Sequence, residues 1–489
     1  MPELTKVVHL PVGGSRQLDL FGSESSAALE GYVIRCDASD LSDAFGRAKG
    51  GQTFPGFDLI YVDPPFNNDQ NFRMEVALTD DGPDAVSVPA FSDRWADGIS
   101  GYLDMLREKL LTCHEALSER GWLAVHVDWK TDYRVRALLD DIFGGSDHWR
   151  NTVYWRRDPG GKGNKARTQQ FPRNCDSIIL FNKATEGWYF NLPRVPLTDE
   201  QKATYRNIDD NGRRFKAVDA RNYSEDAIER MTSAGDIYVS STGKSYKKYY
   251  LDEAEGVVDM LWTDIPGFGV RTGAKELTGY PTQKPIALIR RVIEALCPPG
   301  GWVADAFCGS GTTAVAALAS GRNFVVSDVS SLACAVTLDR LVRSDASTRC
   351  TVRVVDGDKS MDASDNRLSV SLLPLPVRVT GSVECTTESV QIRNLELEAV
   401  GDDEMRCFIE SAGEFLIGDD VMESANRSIS WWIHAAYLVS LTAGETRILA
   451  RLDSGGERFI QVEIEPGEVD LAVLVIDCFG RSSMCGIDE

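Results

Sequence analysis

The stretch WVADAFCGSGTTAVAALA at residues 302–319 decides the fold of this chain. Apolar residues lead into Asp305, a turn follows with Gly309 and Gly311, and good helix formers continue to residue 319. The glycines allow a tight turn and let a ligand approach the backbone closely. A second apolar strand ends at Asp328, where a carboxylate can accept hydrogen bonds from ribose hydroxyls. The pattern predicts an α/β, Rossmann-like sheet with a cofactor at the glycine-rich turn.

A second motif, Asp63-Pro64-Pro65-Phe66, follows an apolar run at residues 57–62 that predicts a buried strand. Asp63 is a carboxylate acceptor, and the prolines carry no N–H group, so the carbonyls around them point out as further acceptors. Phe66 offers a flat ring on which a planar base can stack. This combination suits an exocyclic amino group of a nucleobase. Taken alone, the motif could also be a Pro-Pro terminator of the strand.

Both motifs resemble those of amino-methyltransferases that act on DNA. The run Asp305 to Thr313 is similar to the S-adenosylmethionine-binding motif of that family, which usually has proline at the position of Ala306. Thr282-Gln283-Lys284-Pro285 is similar to the family's cofactor-side motif. The catalytic motif precedes the cofactor motif, and this permuted order resembles the β class, which includes the modification subunits of type III restriction systems. The resemblance covers roughly residues 30–345.

The resemblance implies transfer of a methyl group from S-adenosylmethionine to the N6 amino group of an adenine flipped out of double-stranded DNA. Adenine is preferred to cytosine because family members specific for cytosine N4 usually carry serine in place of Asp63. Phe66 stands where tyrosine is commoner in the family, and this difference does not affect the choice of base. The expected catalytic residues are Asp63, Pro64, Pro65 and Phe66. The expected cofactor-binding residues are Asp37, Lys284, Asp305, Phe307, Cys308, Gly309, Ser310, Gly311, Thr312, Thr313 and Asp328.

Individual roles are also implied by the resemblance. Asp37 would lie near the adenine of the cofactor, Asp305 and Lys284 would hold its polar part, and Asp328 its ribose. Cys308 is interpreted as a small packing residue rather than a nucleophile. His126 is interpreted as a core or strand-end histidine, with an active-site position as the less favoured reading.

Several alternatives stay open. Gly309, Gly311 and Ala314 also satisfy the G-x-G-x-x-A fingerprint of dinucleotide-binding enzymes, although a dehydrogenase leaves the motif at Asp63 unexplained. A cytosine-N4 methyltransferase would keep the same fold and mechanism. A non-catalytic, DNA-binding subunit of a restriction or defence complex is a third alternative, and an RNA substrate a fourth.

The net charge of −22 is unevenly distributed. Residues 151–216 contain 13 Lys and Arg against 7 Asp and Glu, whereas residues 351–489 contain 11 against 26. Because contacts between phosphates and Lys or Arg dominate nucleic-acid affinity, the basic segment is the expected DNA-binding region. The candidate DNA-binding residues are Arg156, Arg157, Lys162, Lys165, Arg167, Arg213 and Arg214.

The predicted organisation has five parts. They are an irregular arm (1–29), a catalytic half (30–150), a target-recognition insertion (151–257) whose first part is expected to complete the catalytic sheet, a cofactor-binding half (258–345) and an acidic, β-sandwich-like C-terminal domain (350–489). The alternative for the insertion is a solvated surface excursion.

Composition is typical of a globular protein of two or three domains. Eleven cysteines without metal-ligand spacing favour a reduced cytoplasm and no metal site. Neither a secretory leader nor a long apolar run is recognised, so no membrane association is expected. Membership of the resembled family would make a homodimer the expected assembly.

Overall fold

A computed structural model describes most of the chain up to residue 356 and a set of strands beyond it. The described residues are 5–9, 29–49, 53–77, 85–158, 169, 171–240, 242–268, 276–344, 350–356, 377–385, 389–399, 433–442, 445–452, 460–463, 470–477 and 482–488. They belong to two compact units, one formed by residues 1–190 and 262–489 and the other by Asn191–Leu261.

The described residues form eight α-helices and 25 strands. The helices are α1 (Leu41–Ala48), α2 (Gly98–Ala116), α3 (Asp132–Phe143), α4 (Asp199–Lys202), α5 (Glu225–Ser233), α6 (Ile286–Leu296), α7 (Thr312–Ala319) and α8 (Ser331–Arg343). The strands are β1 (Thr5–His9), β2 (Leu29–Arg35), β3 (Phe57–Val62), β4 (Gln70–Ala77), β5 (Ala85–Asp93), β6 (Leu117–Asp128), β7 (Trp149–Arg156), β8 (Cys175–Asn182), β9 (Arg194–Val195), β10 (Asn207–Ile208), β11 (Arg214–Asp219), β12 (Ile237–Val239), β13 (Ser245–Tyr250), β14 (Gly256–Val257), β15 (Leu261–Trp262), β16 (Trp302–Asp305), β17 (Asn323–Asp328), β18 (Cys350–Asp356), β19 (Val377–Cys385), β20 (Ser389–Ala399), β21 (Ile433–Thr442), β22 (Glu445–Leu452), β23 (Ile460–Glu463), β24 (Asp470–Asp477) and β25 (Ser482–Asp488).

The main sheet has the strand order β1-β18-β2-β17-β16-β3-β6-β8-β7-β15. All neighbours from β18 to β6 run parallel, whereas β8 and β7 pair antiparallel on one side and β1 on the other. The parallel strands read as continuous apolar runs because both of their faces are buried. This architecture confirms the predicted Rossmann-like α/β fold.

The two motif-bearing strands are neighbours at the centre of this sheet. Asp305 at the end of β16 is in register with Tyr61 near the end of β3. Because the carboxyl ends of parallel strands share one edge, ligands of such sheets bind there. The register therefore brings Asp63 and the glycine-rich turn to one place.

Helix α2 shows how the sequence pattern produces packing. Tyr102, Leu106, Leu110 and Cys113 are all buried and recur at helical spacing, so one face of α2 packs on the core. Burying a large apolar side chain contributes roughly 1.5–3 kcal/mol.

Helix α6 begins directly after Pro285, at a position where proline fits a helix start.

Two segments extend the main sheet beyond the predicted limits. Residues 5–9, placed in an irregular arm by the sequence, form the edge strand β1, because the β-branched pair Val7 and Val8 favours an extended chain that can pair with β18. Strand β18 in turn pairs with β2. The rest of the predicted arm up to residue 28 lies outside the described residues.

The C-terminal strands β19 to β25 form a separate seven-stranded sheet in the order β22-β21-β24-β25-β19-β20-β23. The sequence predicts strands at 370–373, 377–380, 390–393, 447–452, 459–464 and 471–476, and the last five overlap β19, β20, β22, β23 and β24. The run at 370–373 lies outside the described residues. The sandwich-like arrangement of this region stays a prediction.

The second unit has its own small sheet, with the antiparallel order β10-β11-β13-β12, and a short pair β14-β9. Helix α4 begins with a capping box between Thr198 and Gln201. This unit overlaps the predicted insertion at residues 191–257 and continues to Leu261, whereas β7 and β8 belong to the main sheet. Across the described residues, no helix combines the length and apolar character needed to cross a membrane.

Candidate active site

A cavity of about 600 Å³ lies at the carboxyl ends of β2, β3, β16 and β17. It brings together most of the residues that the sequence selected. The cavity is lined by Asp37, Asp63, Pro64, Pro65, Phe66, Lys284, Asp305, Phe307, Cys308, Gly309, Ser310, Thr312, Thr313 and Asp328. Gly311 is the expected cofactor residue that does not line it.

Asp63 forms an ion pair with Lys284 inside the cavity. The Oδ2 atom accepts a hydrogen bond from the Lys284 ammonium, whereas Oδ1 is buried and has no hydrogen-bond partner among the described residues. The ammonium also lies 5.0 Å from the centre of the Phe66 ring. The lysine expected to hold the cofactor thus contacts the carboxylate that the sequence predicts to be catalytic, and one oxygen of this carboxylate lacks a donor within the described part of the chain.

Asp93 holds the loop that follows Asp63 and was missed by the sequence reasoning. Its fully buried carboxylate accepts hydrogen bonds from the backbone N–H groups of Phe66 (3.2 Å), Asn67 (2.8 Å) and Asn68 (2.8 Å). It also accepts one from the Trp95 indole at 3.2 Å. The donors are mainly backbone N–H groups, so no side-chain motif in the sequence indicates this role.

The glycine-rich turn adopts backbone conformations that favour glycine. Gly309 has φ +48° and donates its N–H to Asp328 Oδ2 at 3.0 Å. A Cβ atom on Gly309 would lie 3.1 Å from the ring of Tyr280, which also lines the cavity. Gly311 has φ +74° and caps the start of α7. Both glycines therefore shape the turn, and only Gly309 faces the cavity.

Asp305 accepts hydrogen bonds from residues of the same turn and of α7. It accepts hydrogen bonds from the Phe307 N–H (2.9 Å) and the Thr313 hydroxyl (2.5 Å). Burial raises the pKa of the Asp305 carboxyl to about 7 in spite of these donors. Burial likewise raises the pKa of Asp328 to about 6, although that carboxylate accepts from the N–H groups of Ser330 and Gly309.

Asp37 lies on another side of the cavity and pairs with Lys109, whose ammonium is 2.5 Å from Oδ1. Burial would raise the pKa of Asp37, but the hydrogen bonds and charge of Lys109 and the Ser39 N–H outweigh it and the pKa is lowered. Lys109, also a cavity residue, lies on α2, far from either motif in the sequence, and was not selected by the sequence reasoning.

His126 is a core residue, consistent with the favoured interpretation. It is fully buried, its Nδ1 lies 2.6 Å from the Tyr61 hydroxyl, and its Nε2 lies 3.4 Å from Asp176. Its ring centre is 5.9 Å from that of Phe66. His126 thus packs beneath the aromatic residue of the catalytic motif without lining the cavity.

The candidate DNA-binding residues fall into three groups. Arg156 ends β7 and Arg157 follows it directly, with Arg157 Nε 3.0 Å from the buried Asp176 carboxylate. In the second unit, Arg213 pairs with Asp252 and Glu253, and the Arg214 guanidinium donates to the Tyr205 carbonyl at 3.1 Å. Lys162, Lys165 and Arg167 lie outside the described residues.

Comparisons with known proteins identify the family of this chain. A family model described as DNA methylase matches residues 57–338. The type II methyltransferase M.EcaI of Enterobacter cloacae is 25% identical over 348 residues, covering 65% of this chain and 71% of that protein. The DNA adenine methyltransferase YhdJ of Escherichia coli K12 is 24% identical over 278 residues, covering 56% and 72%. Among solved structures, the cytosine-N4-specific PvuII DNA methyltransferase superposes with a TM-score of 0.38 at 13% identity, covering 66% of this chain and 91% of that one.

Proposed function

Because the chain belongs to the N6/N4 DNA methylase family, we propose that it transfers a methyl group from S-adenosylmethionine to the N6 amino group of adenine in DNA. The observation that carries this proposal is the geometry at Asp63. A buried carboxylate oxygen of Asp63, which has no donor among the residues that the structure describes, lies in the same cavity as a glycine-rich turn. An unsatisfied buried acceptor is costly unless a ligand supplies the missing hydrogen bond.

The cavity fits the proposed cofactor. S-adenosylmethionine supplies an electrophilic methyl group on a sulfonium ion. Asp37 and Asp328 offer acceptors for adenine and ribose groups, respectively, and Gly309 leaves backbone free of a side chain where the turn faces the cavity. With a volume of about 600 Å³, the cavity lies within the range typical of small-molecule sites.

The target base must leave the duplex before its amino group is accessible, which costs a few kcal/mol. Phe66 would stack on the flipped base, and Asp63 Oδ1 and the Pro64 carbonyl would accept hydrogen bonds from the amino group. These acceptors favour a pyramidal nitrogen and direct its lone pair toward the methyl donor. The Lys284 ammonium compensates the charge of Asp63. In this proposal, catalysis rests on holding the amino group and the methyl donor in position and on electrostatic stabilisation by the residues around them.

Adenine is the proposed base for two reasons. The motif begins with Asp63 rather than with the serine usual in cytosine-N4 enzymes. One relative of this chain is named as a DNA adenine methyltransferase. Assembly as a homodimer and membership of a restriction or defence system stay predictions, as does a recognition role for residues 151–257.

The proposal is tested by incubating the purified protein with labelled S-adenosylmethionine and unmethylated bacterial DNA, followed by nucleoside analysis. We expect N6-methyladenine from the wild type and none from Asp63→Ala. Asp69→Asn is the control, because this residue of the same loop has φ +54°, a left-handed conformation that asparagine tolerates better than alanine, and its 88% exposed side chain pairs at the surface with Arg94. It should retain activity.

Three outcomes would contradict parts of the proposal. N4-methylcytosine would keep the fold and mechanism but overturn the base. Activity that survives in Asp63→Ala would overturn the assigned role of this carboxylate. Cofactor binding without any methylated product would favour a non-catalytic, DNA-binding role.

A further inference from the structure

The carboxyl ends of β3, β6 and β7 carry a group of cationic and aromatic side chains beside the catalytic loop. We define the rim patch as Trp129, Lys130, Arg156 and Arg173. Asp128 at the end of β6 is in register with Asp176, and Arg156 at the end of β7 with Cys175 at the start of β8. Since Val62 of β3 is in register with Val125 of β6, these chain ends share the edge that carries Asp63.

Lys130 connects the rim patch to the catalytic loop. Its ammonium donates to the Asn68 side chain at 2.7 Å and to the Asn67 carbonyl at 3.4 Å, and it forms an ion pair with Asp128 at 3.2 Å. Asn68 lines the cavity. In the sheet, β6, β8 and β7 follow β3 in that order. Because adjacent strands lie about 4.8 Å apart, the end of β7 lies roughly 15 Å from the end of β3 along the edge of the sheet.

Trp129 and Arg173 form the aromatic part of the rim patch. The Arg173 guanidinium lies 3.9 Å from the centre of the Trp129 ring, yet Trp129 is still 40% exposed. The carboxylates at the same edge, Asp128 and Asp176, are buried. The rim patch thus places the cationic groups of Lys130 and Arg173 next to a partly exposed indole, with Asp128 paired to Lys130.

On the basis of the proposed function, we propose that the rim patch binds the DNA strand next to the flipped base. Trp129 stacks on a flanking base, and Lys130, Arg156 and Arg173 contact adjoining phosphates. Aromatic rings bind unstacked bases of any sequence, and Lys and Arg beside them follow the backbone. Neither Trp129 nor Arg173 belongs to the catalytic or cofactor motifs.

A second cation–aromatic pair provides a matched control. Arg136 lies 4.1 Å from the ring centre of Trp149, which is 38% exposed. Trp149 starts β7, so it lies at the opposite edge of the sheet, roughly 20 Å or more from the end of that strand. The two tryptophans therefore match in exposure and partner and differ in their distance from Asp63.

The test compares Trp129→Ala with Trp149→Ala in binding to a fluorescent DNA duplex and in methyl transfer to unmethylated bacterial DNA. We expect Trp129→Ala to weaken DNA binding and raise KM for DNA about tenfold. Trp129→Tyr should restore most of this loss, and Trp149→Ala should behave as the wild type. Arg173→Ala should reduce the slope of log affinity against log salt by about one, and Arg136→Ala should leave it unchanged.

Equal effects of the two tryptophan variants, or no effect of either, would overturn the inference. So would a parallel loss of S-adenosylmethionine affinity and melting temperature in Trp129→Ala, because that would indicate a structural role. The DNA-binding measurement tests the rim patch independently of methyl transfer. A wild type that binds DNA through Trp129 but transfers no methyl group would refute the proposed function alone.

Discussion

Replacing Gly311 by alanine tests whether the turn before α7 requires glycine for space as well as for conformation. Gly311 has φ +74°, and a Cβ atom there would lie 2.6 Å from Thr337 Oγ1 and 2.9 Å from the Thr337 Cα atom. The backbone contact cannot be relieved by rotating a side chain. Gly321, just after α7, has a similar φ of +70°, but its Cβ atom would meet none of the described atoms within 4 Å.

Comparing the two alanine variants separates the cost of the left-handed backbone from the cost of the steric clash. A left-handed conformation costs an alanine about 1–2 kcal/mol, and both variants bear that cost. Only Gly311→Ala adds an overpacking cost of about 1–3 kcal/mol, because α8, which carries Thr337, must move away from the turn. The free energy of unfolding should therefore fall by about 1–3 kcal/mol more in Gly311→Ala than in Gly321→Ala.

Urea denaturation measures this difference, and titration calorimetry with S-adenosylmethionine measures its effect on the site. We expect Gly321→Ala to bind the cofactor like the wild type. Gly311→Ala should bind it more weakly, because Ser310 and Thr312 on either side of the altered residue line the cavity. Equal destabilisation of the two variants, or unchanged affinity in Gly311→Ala, would refute the reasoning.

Two further predictions concern buried carboxylates. Asp93→Ala removes the acceptor for three backbone N–H groups of the catalytic loop. We expect kcat to fall by about 100-fold, and S-adenosylmethionine affinity measured by calorimetry to stay unchanged. A loss confined to cofactor affinity would contradict this role. Burial raises the pKa of Asp305 from 3.8 to about 7, so its contribution to stability is fully present below pH 3.8 and is lost as pH rises toward 7. Urea titrations should show Asp305→Asn gaining stability relative to the wild type across that interval, and a pH-independent difference between the two would contradict the assignment.

The elements with continuous apolar runs were predictable from the sequence. Strand β3 matches the run at residues 57–62, and β16 and α7 match the two ends of the stretch at residues 302–319. Their motifs meet because adjacent parallel strands end at one edge, which is a general property of this fold. The convergence of Asp63 and the glycine-rich turn was therefore predictable as well.

The supporting residues were not predictable, for physical reasons. Asp93 acts on backbone N–H groups, which carry no sequence signal. Lys109 reaches Asp37 from the middle of α2, and this contact depends on how the helix packs on the sheet. The pairing of Lys284 with Asp63 joins residues 221 positions apart, and nothing in either motif indicates it.

The strand order also has a consequence for how the chain folds. Strand β3 gains its neighbour β6 early in synthesis, but its other neighbour, β16, begins at Trp302. Strand β2 must wait still longer for β17 and β18. Until those residues leave the ribosome, the first half carries unpaired, apolar strand edges, which are templates for aggregation. Non-local parallel pairing of this kind is slow, so we expect the nascent chain to need chaperones most before β16, β17 and β18 have been synthesised.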